Sequence, residues 1–163
     1  MAKFNLKIVV IALLGFFLSG NLNGQSFNED KTAFSNFLKR MYTAKPFEGV
    51  KIVDDYEHQY LVSVISLEKA KYSSESTMNR VAQVKAQSQA STFLNGATIS
   101  MDMVITTKET KDSTNNVKTI VETVEQIKQN SVGFSQGLEV LTVFEHIDGI
   151  RMVFIYFRQL NIE

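Results

Sequence analysis

The chain has 163 residues, 44% of them apolar, with 17 basic and 17 acidic side chains, one Pro, eight Gly and no Cys. An even charge balance removes the electrostatic case for nucleic acid or an anionic membrane surface. The lack of Cys excludes disulfides, cysteine metal ligands and the cysteine-linked lipid anchor of bacterial lipoproteins, and so little Pro and Gly excludes a long linker or a fibrous repeat.

The N-terminus carries the clearest signal. Lys3 and Lys7 precede an unbroken apolar run, Ile8 to Leu18, and small and polar residues follow at Ser19, Gly20, Asn21, Asn23 and Gly24. This order predicts a secretory signal peptide over 1–24. The run is shorter than the roughly 20 apolar residues of a spanning helix. Cleavage is expected after Gly24, with Gly20 as the second candidate and an uncleaved anchor as the alternative. Removing 1–24 takes away two lysines and no acid, leaving a net charge of −2 over 25–163. That length suits a single domain with its own core. The expected destination is the periplasm or the extracellular space.

Asn28 is a candidate N-cap, with Glu29 and Asp30 in the first turn. Phe34, Phe37, Leu38 and Met41 then recur at helical spacing, so a helix is predicted over 28–43. Pro46 and Gly49 end it. Val50 to Val53 reads as a short strand, Asp54 to Tyr56 as a turn, and Gln59 to Leu67 as an alternating β-branched strand that pairs with the first as a hairpin. Ser73 or Ser74 can cap the next helix. Along it Met78, Ala82, Ala86, Ala90, Phe93 and Leu94 share one face, three of them alanines that permit close approach to a sheet. Asn95-Gly96 supplies the stop.

Ala97 to Thr107 alternates and is predicted as a strand, with Ile99, Met101, Met103 and Ile105 on one side. Lys108 to Asn116 reads as a polar loop. Val117 to Gln129 is ambiguous: Val117, Thr119, Val121 and Thr123 alternate as in a strand, while Ile120, Val124 and Ile127 fit a helix face. The density of Val and Thr favours strand. Asn130 to Gly137 reads as a turn region.

Asp148-Gly149 lies between two strand-like runs, Leu138 to Ile147 and Ile150 to Phe157. A two-residue type I′ turn there would set Ile147 against Ile150, Val143 against Phe154 and Leu141 against Tyr156. Both faces are rich in apolar residues, which places this hairpin centrally in the sheet. The fold class is therefore α+β: an antiparallel sheet of about four to six strands, with the Ala-faced helix and the N-terminal helix packed on it.

The succession of signal, strand, helix with Ala82, Ala86 and Ala90, Gly96, strand, and a terminal hairpin reading LEVLTVFE and IRMVFIYF resembles the LPP20-like domain of bacterial envelope proteins, over 59–157. The resemblance implies a small non-catalytic α+β envelope module with no active site to carry over. The chain departs from that pattern in lacking a lipidation Cys, so a lipid-tethered role is in doubt.

Chemistry is sparse. His58 and His146 are the only two histidines. His58 with Asp54, Asp55 and Glu57 reads as a solvated turn, because no HExxH or comparable ligand spacing accompanies it. His146 is expected as a surface cross-strand partner of Arg151. Gly133 to Gly137, G-F-S-Q-G, matches the bare nucleophile-elbow pattern around Ser135. An elbow needs a strand before it and a helix after it, and here a strand follows, so a glycine-bracketed turn is expected. No catalytic, cofactor or metal residue is assigned. Tyr56, Tyr60, Tyr156 and Phe157 are the candidate contact surface, with ordinary sheet core as the competing reading. The expected role is an exported, non-enzymatic envelope module working through contacts with an envelope or secreted protein, self-association remaining open. A small-ligand or glycan binder with a pocket between the long helix and the sheet is the alternative. A small hydrolase is the remote one.

Overall fold

The computed structural model describes residues 23–55, 58–96, 103–106, 113–128 and 131–160. The chain falls into two units, Met1–Arg40 and Met41–Glu163. Their boundary lies within the first described helix, α1 (Asn23–Ala44). In the first unit Leu38 is buried, as its helical stripe requires. The chain before Asn28 is already helical. Asn28 is therefore an interior residue and not the predicted cap, since a side-chain cap acts only where the preceding backbone turns away from the helix.

The second unit holds the sheet. Strands β1 (Gly49–Asp54) and β2 (Gln59–Glu68) form the predicted antiparallel hairpin, with Ile52 opposite Leu61 and Val53 opposite Tyr60. Its turn closes on Asp55, whose Oδ1 accepts from the His58 amide at 2.6 Å. A short 3₁₀ turn, Lys69–Lys71, leads to α2 (Glu75–Gly96). Ser74 Oγ accepts from the Thr77 amide at 3.2 Å, the N-cap bond expected of it. The six residues predicted for the inner face of α2 are its buried residues, and Ala82, Ala86 and Ala90 are fully enclosed. With no side chain beyond Cβ, they let α2 settle onto Leu61, Ile65 and Leu67 of β2.

Strand β3 (Val104–Thr106) joins the outer edge of β1 in parallel, Ile52 opposite Val104. The sheet is therefore mixed, and the wholly antiparallel expectation is corrected. Tight turns force antiparallel pairing, but the chain reaches β3 through a helix, which leaves the direction free. Of the predicted strand over 97–107, Ile99 and Met101 lie outside the described residues, as does much of the predicted loop over 108–116.

Two helices follow where strand and turn were expected: α3 (Ser113–Lys128) and α4 (Ser131–Gln136). The apolar positions Ile120 and Val124 of α3 are fully buried beside Leu94 and Phe93 of α2, and Ile127 packs against them. Burying each such side chain is worth about 1.5–3 kcal/mol, more than the few tenths by which Val and Thr disfavour helix. Packing on one helical face overrides local preference.

The chain ends in β4 (Glu139–Glu145) and β5 (Arg151–Gln159). The strand order is β3-β1-β2-β5-β4. Leu61, Ile65, Phe154 and Tyr156 point into one core with α2, α3 and α4. On the opposite face Val62, Val64, Val153 and Ile155 are also buried. Only β5 takes the central position predicted for the hairpin; β4 ends the sheet.

Candidate functional site: the edge hairpin

The β4–β5 register agrees with the prediction near the tip, where Val143 lies opposite Phe154 and Glu145 opposite Met152. It then slips. Val140, not Leu141, lies opposite Tyr156, and Leu141 is the extra residue of a β-bulge between Val140 and Thr142. The turn also differs. His146 donates its amide to the Arg151 carbonyl at 2.9 Å, so Ile147 to Ile150 form a four-residue loop and do not pair with one another. Gly149, at φ 68°, takes the left-handed position that Asp-Gly makes available.

Polar side chains lock this loop. Asp148 Oδ1 accepts from the amides of Ile150 (2.8 Å) and Arg151 (3.1 Å), and its Oδ2 accepts from Arg151 Nε at 2.7 Å. Loss of hydration pushes the Asp148 carboxyl up, but those two amides and the guanidinium outweigh it and hold the group well below the usual carboxylate range. The same hydrogen bond raises Arg151. The Asp148 amide donates to His146 Nδ1 at 3.2 Å, and Arg151 Nη2 lies 3.4 Å from both ring nitrogens. His146 neighbours Arg151 as predicted, but it is buried, not on the surface. Its ring meets the edge of Tyr42, from the last turn of α1, at 5.7 Å between centroids, and Phe144 meets the same Tyr42 at 5.6 Å. Burial raises the Tyr42 phenol above its ordinary value. Ser66 beside it works against that rise, although its buried Oγ meets no partner at hydrogen-bond geometry.

Around this locked loop the surface is apolar. Ile147 is 87% exposed, Ile150 59%, Val140 55% and Val143 39%. Glu145 pairs with Lys69 at 3.1 Å. Val140 and Val143 lie opposite Tyr156 and Phe154, so both stand on the helical face of the sheet, beyond the reach of the helices that cover β2.

Of the predicted aromatic surface, Tyr60 and Phe157 come together and Tyr156 does not join them. Tyr156 is buried on the helical face, its hydroxyl 3.4 Å from the Asn79 carbonyl, and burial pushes its phenol pKa above the ordinary value. The rings of Tyr60 and Phe157 meet on the other face, 5.9 Å apart and tilted by 49°. Tyr56 lies outside the described residues. Ser135 is a buried residue of α4 whose Oγ donates to the Val132 carbonyl at 3.0 Å, so G-F-S-Q-G folds as a helical turn and presents no nucleophile. His58 is exposed at the β1–β2 turn, and no group of three or more metal-ligating side chains occurs among the described residues.

One further concavity, about 340 Å³, lies along the outer side of α2 and is lined by Thr77, Arg80, Val81, Val84 and Lys85. It is not the helix–sheet pocket envisaged from the sequence. Sequence reasoning missed the edge position of β4 and its bulge. Only the bulge left a visible signal, the adjacent apolar pair Val140-Leu141, which no strict alternation accommodates.

Fold and surface together define a small α+β protein with, among the described residues, a five-stranded mixed sheet, four helices and an apolar edge hairpin. Comparison of the chain with protein-family models, with curated proteins and with solved structures finds no match.

Proposed function

We propose that this protein is an exported, non-enzymatic module that works by protein contact, and that the β4–β5 hairpin makes the contact. One observation carries the reading: four of the exposed large apolar residues, Val140, Val143, Ile147 and Ile150, gather on a single hairpin at the end of the sheet. Exposed apolar side chains scattered singly need no explanation, whereas a contiguous group marks an interaction surface. The lock of Asp148, Arg151 and His146 supports it, because a rigid loop loses little entropy on binding. The signal-like N-terminus and the resemblance to LPP20-like domains make an envelope setting part of the proposal.

The test is affinity capture of the tagged protein from an envelope fraction, compared with an Ile147→Asp/Ile150→Asp variant. A stoichiometric partner, a second copy included, that is held by the wild type and lost by the variant is expected. Equal recovery by both, or none by either, contradicts the reading.

The concavity on α2 favours a second reading, a binder of small amphiphilic anions, because its lining combines the apolar Val81 and Val84 with the cations Arg80 and Lys85. Titration with a fluorescent fatty acid would test it: saturable binding weakened by Lys85→Glu supports it, and unsaturable or unaffected binding sinks it.

A further inference from the structure

The contact reading leaves the partner open, and the backbone of β4 narrows it. His146 donates to Arg151, so its backbone groups face β5. Antiparallel alternation then turns those of Phe144 and Thr142 toward β5 and those of Glu145 and Val143 outward. The same alternation along β5 makes Arg151, Val153, Ile155 and Phe157 the residues that face β4. Glu139, opposite Phe157, therefore faces inward, and Val140 faces outward. The outward groups of β4 are thus Val140, Val143 and Glu145. An unbulged strand would space outward groups by even steps. The bulge at Leu141 separates Val140 from Val143 by an odd step and places them symmetrically about the Leu141–Thr142 bond.

We propose that β4 pairs with β4 of a second copy of this chain, antiparallel about a two-fold axis at that bond, to give one continuous ten-stranded sheet; this rests on the contact reading above. Val140 then lies opposite Val143 of the copy, and Val143 opposite its Val140. Both pairs present backbone donors and acceptors to each other. All four valines stand on the helical face, where each chain alone leaves them exposed. The side-chain faces discriminate between registers. An axis through Thr142 would set Glu139 against Glu145 of the copy, whose side chains stand on opposite faces of the sheet, so the pleats of the two strands could not match. The axis between Leu141 and Thr142 sets Glu139 against Phe144 and Glu145 against Leu138. A self-complementary patch of this kind is what a two-fold dimer requires, and it would hide an edge that otherwise invites uncontrolled pairing.

The chain contains no Cys, so engineered thiols report cleanly. Directly opposed hydrogen-bonded residues sit about 5.5 Å apart at Cα, within disulfide range. The protein, purified in the form cells deliver it, is sedimented from about 1 to about 100 µM. Mild oxidation is then applied to mixtures of two single variants. A mass of two chains is expected, with Val140→Cys and Val143→Cys chains joining in mixture. Glu139→Cys and Glu145→Cys chains, whose side chains lie on opposite faces, should not join. Val140→Lys/Val143→Lys should keep its circular dichroism and melting temperature, because both positions are exposed, while weakening the dimer on the order of a hundredfold. A monomer throughout, or a dimer indifferent to the lysines and to the Val140–Val143 thiol pair, overturns the proposal. If the chain is monomeric but capture still depends on Ile147 and Ile150, the contact reading survives without self-pairing; if capture is indifferent to them, that reading fails.

Discussion

Gly137, between α4 and β4, offers a sharp test of packing behind the edge strand. A Cβ there would overlap the guanidinium of Arg158, reaching 2.6 Å from its Cζ. Arg158 is engaged: Nη1 donates to the carbonyls of Gly133 (3.0 Å) and Phe134, and Cζ sits 4.4 Å from the Phe134 ring centroid. Gly137→Ala must push this group aside. Arg158 is half-buried, so each bond is discounted to about 0.5–1 kcal/mol, and the ring contact adds about 0.5–1. Against that stands the gain of about 0.4–1 kcal/mol from restricting the unfolded chain. The net cost is about 1–2 kcal/mol, or roughly 2–8 °C in melting temperature. In an Arg158→Ala background the three nearest contacts of the methyl are gone, and the same substitution should be neutral or stabilising. Urea unfolding of the four-member cycle, followed by far-ultraviolet circular dichroism, measures the coupling. An equal cost in both backgrounds would refute the role given to Arg158.

Three further outcomes follow from the packing and the charges. Ala86→Leu, against the fully enclosed interface of α2 with the sheet, should cost about 1–3 kcal/mol in chemical denaturation, whereas Val84→Ala on the wet side should stay within about 0.5. Ile120→Ala should cost about 2–5 kcal/mol and Glu122→Ala almost nothing, a contrast that a strand at α3 would not give with the same phase along 117–124. The carboxyl of Asp148 is held below its unfolded value, so its contribution is present above the ordinary carboxylate range and lost as pH falls through its depressed folded value. Asp148→Asn should therefore lower the urea midpoint at neutral pH and flatten its decline below about pH 4.

Much of the fold is legible in the residues because local and global demands coincide there. Gln59 to Leu67 alternates and is a strand; the alanine spacing of α2 fixes both its helix and its buried face. Where they conflict, sequence reading fails. The Val and Thr of α3 prefer strand locally, and only the burial of Ile120 and Val124 against α2 decides otherwise. The loop after His146 has the Asp-Gly of a two-residue turn, yet Asp148 spends its carboxylate on the amides of Ile150 and Arg151 and opens the loop to four. Tyr156 stands apart from Tyr60 and Phe157 for a topological reason. Tyr156 and Phe157 are neighbours on β5 and so must face opposite sides of the sheet. The candidate edge was invisible for a related reason, since strand order is set by which strands meet late in the chain and leaves no mark on β4 itself.

The central claim, that the edge of β4 makes this protein's contacts, is tested most directly by the size of its native assembly in an envelope extract, wild type beside Val140→Lys/Val143→Lys. The account predicts that the wild type migrates above the 18.4 kDa of the full-length chain and that the variant falls to the mass of a single chain while remaining folded. Co-migration of the two at any size would contradict it.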